Sequence, residues 1–166
     1  MPILTVNNKK EEEFLRAKTK EVDLKAVDKK ELRELIRDMR RAMRQANGIG
    51  LSANQIGIDK RIFVAQIEDP NGRPKFYAVI NPKITKKSSP KHPLEEGCLS
   101  VPGVYGIVDR YEKVVLEGFN PSGRKIKIKA WGLLAHIFQH EVDHLDGKLF
   151  IDKAKEVVDS NEPQAA

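Results

Sequence analysis

The sequence predicts an α+β fold: antiparallel and mixed β-sheets around a central helix, with an amphipathic helix nearer the N-terminus. Three observations carry this. One segment repeats apolar residues at helical spacing behind a capping residue. A second segment of helix length is apolar around most of its circumference. Around them lie short runs rich in β-branched and aromatic residues, punctuated by Pro, Gly and Asn turns. The 166 residues suit one domain, 1–166, with a tail from about residue 153.

Taken in order, residues 9–23 are charged and carry the approach to the first helix. Asp28-Lys29-Lys30-Glu31 has capping-box form, and Leu32, Leu35, Ile36, Met39, Ala42 and Met43 follow at helical spacing. That predicts a helix over 29–46, closed by Gly48 in a left-handed cap. A small-residue stretch, Gly48 to Gly57, leads to a strand at 61–67. Asp69-Pro70-Asn71-Gly72 is a hairpin turn signal before a strand at 76–81, which Pro82 should halt. Further strands are expected at 83–87, 104–109, 111–119 and 124–131, the last two joined by Asn120-Pro121-Ser122-Gly123. Residues 88–95 read as loop. Residues 131–146 form the second helix, apolar at Trp131, Leu133, Leu134, Ile137, Phe138, Val142 and Leu145, and therefore central and buried. The segment after it reads as a frayed or weakly helical tail.

Composition narrows the function classes. Apolar residues make up 40% and charged residues 33%, an ordinary globular balance. No apolar run approaches a membrane span, and the N-terminal apolar stretch is too short for a secretory signal. A cytoplasmic monomer that does not contact membrane is expected. The single cysteine, Cys98, excludes an intramolecular disulfide. The net charge is +6, but Lys and Arg are interleaved with acids along the chain and no RNA-binding motif appears. This reads as a solvated mixed surface with no specific nucleic-acid partner, leaving room for a transient contact with an anionic body such as the ribosome.

The strongest local pattern is His140-Glu141-Val142-Asp143-His144. Residues four apart share a helix face, so both imidazoles can converge on one ion. Glu141, about 100° around the helix, can handle the proton of a water without being a ligand. The plain alternative is a pair of histidines on a charged face. Against it, Leu133, Ile137, His140 and His144 fall on one stripe, where unpaired imidazoles are unfavourable. A third ligand is needed. Phe150 stands where one metallopeptidase pattern places a third histidine, which excludes that pattern. Glu156 and Glu162 lie in the polar tail. Cys98 is the better candidate, because Gly97 beside it permits close backbone approach and a thiolate with two imidazoles leaves an open tetrahedral position.

Three segments together resemble the peptide deformylase family: Gly48-Ile49-Gly50-Leu51-Ser52-Ala53-Asn54-Gln55, Glu96-Gly97-Cys98-Leu99-Ser100, and Gln139-His140-Glu141-Val142-Asp143-His144. The resemblance implies removal of the formyl group from N-formylmethionyl peptides. It implies Cys98, His140 and His144 as ligands of one divalent ion. That ion is ferrous iron in the cell, with zinc, nickel or cobalt also accepted. It implies Glu141 as the proton carrier, and the Gln55 side-chain amide and the Leu99 backbone N–H as donors to the developing oxyanion. Substrate is expected to add as a strand along Ile49-Gly50 and to pass Gly97, with its methionine side chain among Ile49, Leu133, His136 and Ile137. Ser52 stands where the family usually has alanine, a change expected to matter little. Glu96 is expected to pair with Arg110 and brace the Cys98 loop.

Overall fold

Asp28 starts the longer N-terminal helix as its sequence context requires. In the computed structural model, which describes residues 1–69 and 71–160, the Asp28 carboxylate accepts from the backbone N–H groups of Lys30 (2.6 Å) and Glu31 (3.1 Å). This helix, α2 (Lys29–Gln45), buries Leu32, Ile36, Met39, Ala42 and Met43. Its left-handed residue is Asn47 (φ 55°) rather than Gly48. Asparagine tolerates that region better than other side chains, and Gly48 is kept small by the Leu99 side chain, 2.9 Å from where a Cβ would stand. A shorter helix, α1 (Lys9–Leu15), precedes it where only a charged approach was expected. It buries Leu15 alone, so no apolar period marks it. Its signals are the Asn8 cap and the acids of its first turn.

Eight strands follow: β1 (Gly50–Ser52), β2 (Ile62–Glu68), β3 (Pro74–Lys87), β4 (Lys91–Cys98), β5 (Val101–Tyr111), β6 (Lys113–Phe119), β7 (Lys125–Trp131) and β8 (Val157–Asp159). They make a five-stranded sheet, β1-β2-β3-β6-β7, and a three-stranded sheet, β4-β5-β8. All pairings among the described residues are antiparallel. Pro82 does not halt β3. The register shifts between Ile80 and Lys83, and Asn81 turns to φ 49°, so a bulge absorbs the missing N–H. The expected loop at 88–95 is mostly strand β4. His92-Pro93 is tolerated there because β4 is an edge strand. Part of the expected tail pairs as β8 with Val104–Gly106. Pro70 of the first hairpin turn and residues 161–166 of the tail lie outside the described residues.

At β2 the large sheet is covered on both faces, which explains the unbroken apolar run of that strand. Ile62 and Val64 point to the cluster under α2, and Phe63 and Ala65 to the cluster under the last helix, α3 (Gly132–Leu145). Burying Phe63 and Phe138, in tilted contact at 5.5 Å, contributes on the order of 2–3 kcal/mol each from apolar area. Trp131 caps α3 from outside, and it and Leu133 are 69% and 52% exposed, contrary to the expected buried stripe. Trp131 belongs to the outer face of β7, and Leu133 to the mouth of a cleft.

Candidate metal centre

The buried face of α3 places His140 and His144 one turn apart, with their Nε2 atoms 3.1 Å from each other. Cys98 arrives from the end of β4. A register shift after Gly97 turns it inward, and its Sγ lies 3.1 Å from His144 Nε2. The three donor atoms all fall within 4.8 Å of one another. Glu96 Oε2 lies 2.7 Å from His140 Nδ1, which sets the tautomer and turns the Nε2 lone pair toward the sulfur. His144 Nδ1 is buried without a hydrogen-bond partner among the described residues. Burial pushes the Cys98 thiol up, but the two imidazoles outweigh it and hold the sulfur well below the usual thiol range. A thiolate, a buried imidazole and a half-buried one, gathered within bonding reach of one point, fit a divalent transition-metal ion, whose charge would relieve an otherwise unfavourable cluster.

Glu141 is buried beside this cluster. Its Oε2 accepts a hydrogen bond from the Ser52 hydroxyl at 2.7 Å. Ser52 thus touches the Glu141 carboxylate, a contact its size alone did not suggest. A Cβ on Gly50 would collide with Glu141 Oε1, so Gly50 is small to admit that carboxylate rather than to supply a turn. Burial pushes the Glu141 carboxyl up, and the imidazoles and Ser52 pull it back.

Gln55 sits in a short 3₁₀ turn, Ala53–Ile56, with Oε1 fixed by the Ser52 backbone N–H at 2.9 Å. Its Nε2 donates to Ser100 Oγ at 3.1 Å and faces Cys98 Sγ at 3.6 Å. Leu99 lies in the turn between β4 and β5, with its side chain against the α2 cluster. A cavity of about 560 Å³ opens over these groups. The residues expected to contact substrate, Ile49, Gly50, Gly97, Leu133, His136 and Ile137, all line it. The cavity runs between β1 and β4, each an edge strand of its own sheet. A peptide there could pair with either edge.

The expected Glu96–Arg110 pair is present, at 2.5 and 2.9 Å, and is buried. Sequence reasoning missed its extension: Arg110 continues to Asp143, which also takes Lys153 at 2.6 Å. It also missed that His136 lies against Glu96 Oε1. The available signal was Asp143 inside the histidine motif, a carboxylate on a helix otherwise read as apolar. Burial alone would push Glu96 up. Its bonds from His136, His140 and Arg110 win and hold it far below the usual carboxylate range.

A family model described as polypeptide deformylase matches residues 1–160. The chain belongs to this family. A peptide deformylase from Halothermothrix orenii is 45% identical over 153 residues, covering 92% of this chain and 94% of the relative. Another, from Natranaerobius thermophilus, is 47% identical over 126 residues, covering 76% and 78%. Among solved structures, a probable peptide deformylase from Synechococcus phage S-SSM7 superposes with TM-score 0.83 at 40% identity, covering 92% and 99%. A class I type b peptide deformylase from Acinetobacter baumannii, bound to Met-Ala-Ser, gives TM-score 0.83 at 30% identity, covering 92% and 97%. The deformylase fold, two antiparallel sheets and a helix carrying the histidines, is thus shared across nearly the whole described chain. No helix among the described residues is long and apolar enough to cross a membrane.

Proposed function

We propose that the chain removes the N-formyl group from the N-terminal formylmethionine of newly made polypeptides and releases formate. The observation that carries this is the convergence of Cys98, His140 and His144 beside Glu141 and Gln55, at the floor of a cleft bounded by two strand edges. Cys98, His140 and His144 hold one divalent ion, ferrous iron in the cell, with zinc, nickel or cobalt able to replace it. When bound, the ion would supply Lewis acidity that makes water a nucleophile at neutral pH.

The chain's own groups do the rest. Glu141, raised by burial, takes the proton of the attacking water and returns it to the leaving amine. Ser52 fixes the carboxylate rotamer that does so. The Gln55 amide and the Leu99 backbone N–H stabilise the charge that develops on the formyl oxygen. Glu96 keeps His140 in the tautomer that leaves Nε2 free. The substrate peptide adds to the edge at Ile49-Gly50, and Leu133, His136 and Ile137 receive the methionine side chain. Main-chain pairing makes the site tolerant of varied residues after the methionine. The whole chain works as a single catalytic domain, in the cytoplasm, as a monomer, with transient ribosome contact.

Formate release from formyl-Met-Ala, compared with cleavage of unformylated and internal peptide bonds, tests this. Deformylation without peptide-bond cleavage is expected. Peptide-bond cleavage without formate would make the chain a general metallopeptidase instead.

A further inference from the structure

We propose that two hollows bordering Lys87, one beside α3 and one on the opposite face of the large sheet, form a docking surface for the phosphodiester backbone of RNA. The first hollow, about 550 Å³, lies on the side of α3 away from the cleft, beside Gln139, Val142 and Asp143. Three carboxylates line it, and each is already ion-paired: Asp146 with Arg61, Asp143 with Arg110 and Lys153, Asp109 with Lys155. Lys83, Lys87, Lys91 and Lys148 line the same hollow with no carboxylate partner among the described residues. The second hollow, about 560 Å³, is lined by Lys86, Lys87, Lys113 and Lys129 and by no acid, with Trp131 at its side. Lys87, at the end of β3, borders both.

Four lining cations, Arg61, Arg110, Lys153 and Lys155, are ion-paired, and the other seven, all lysines, have no carboxylate partner among the described residues. The interleaved charges of the sequence are therefore sorted in space, and the mixed-surface reading fails on this side. A plainer reading is that edge-strand lysines discourage aggregation. It accounts for Lys129 on β7, the edge of the large sheet. It also covers Lys83 and Lys86, since β2 pairs with β3 only as far as Ile80, but it does not account for Lys113 on β6, which lies between β3 and β7. Nor does it account for a tryptophan left 69% exposed among them.

RNA fits this surface better than other anions. The surface is concave, so it suits a ridge of phosphates rather than a flat lipid headgroup layer. Trp131 offers an indole face on which a base can stack. The cleft remains open, because His136, His140 and Glu141 face the other side of α3. The inference supplies a surface for the ribosome contact proposed above, and it stands whatever reaction the cleft performs.

The test uses the full chain, metal-loaded, and a 20-nucleotide oligouridylate. Trp131 is the only tryptophan, so its emission reports on the surface directly. Binding is expected to quench it and to weaken steeply with NaCl. The variant K86E/K113E/K129E should bind at least about tenfold more weakly, with a log–log salt slope shallower by about 2, since each phosphate contact to a single strand contributes about 0.7. Formyl-Met-Ala turnover and melting temperature should be unchanged. If the charge reversals disturb folding, the triple alanine variant serves, with a smaller loss expected. No binding by the wild-type chain at about 100 mM salt would overturn the proposal. So would undiminished binding by a folded variant. Equal competition by polyglutamate or by phosphatidylglycerol vesicles would also overturn it, assigning the surface to acidic proteins or lipid.

Discussion

In the proposed reaction Glu141 is a base in one step and an acid in the next, and its surroundings suit both. Burial raises its carboxyl, which favours holding the proton once taken, while His140, His144 and Ser52 keep the charged form accessible. Because Glu141 lies outside the Cys98–His140–His144 cluster, Glu141→Gln should keep its metal. It should lose turnover by about 10²–10⁴-fold, the usual weight of a positioned acid–base group. Metal content and formate release measured on one preparation check this, and retained activity would remove Glu141 from the mechanism. Ser52 gives a finer test. Its hydroxyl donates to the ionised carboxylate and so favours it. Ser52→Ala should therefore raise the Glu141 carboxyl further. The acid limb of kcat/KM, where the base must be deprotonated, should move to higher pH. The loss should be largest at acid pH and small on the alkaline plateau. A uniform loss across pH would make Ser52 a packing residue only.

At the scale of elements, strand β1 shows how little chain the site needs when each residue is constrained. Gly50 admits the Glu141 carboxylate, Leu51 is core, and Ser52 reaches that carboxylate. Gly50→Ala should fold and bind metal. It should lower kcat by roughly 10²-fold, because a displacement of about 1 Å in a reacting group has that effect. Steady-state kinetics with metal analysis would show it, and normal kcat would mean that the carboxylate can stand elsewhere. The elements were legible in proportion to how strongly local pattern governed them. Helix α2 announced itself through the Asp28 cap and its apolar period, and the histidine pair through i, i+4 spacing. Helix α1 was hidden because it is short and buries one side chain. The other errors fell where tertiary contact overrode local chemistry. Pro82 and Pro93 read as breakers, yet a bulge and an exposed edge accommodate them. Leu133 read as core because helical period cannot distinguish a packed face from the wall of a cleft. Asp143 was hidden because its partners, Arg110 and Lys153, come from β5 and from beyond α3.

At the scale of the molecule, the centre joins parts that belong to different sheets. Cys98 comes from the small sheet, whereas His140 and His144 ride on α3, which packs against the large one. Glu96 and Arg110, both from the small sheet, reach across to His140 and Asp143 on α3, so the same seam is also ion-paired. An ion bound by all three ligands is a cross-link between the two sheets, and it binds the folded chain far better than the unfolded one. Removing it should therefore destabilise the whole fold. At free metal about 1,000 times the dissociation constant, the linkage contributes about 4 kcal/mol. For a chain of this length that corresponds to roughly 10 °C in melting temperature. Melting with and without a strong chelator should show a fall of that order, reversed by adding metal back. Cys98→Ala, with one ligand gone, should melt lower at the start and respond little to the chelator. If the wild-type chain melts at one temperature in both conditions, the ion does not join the sheets, and Glu96, Arg110 and Asp143 hold the seam without it.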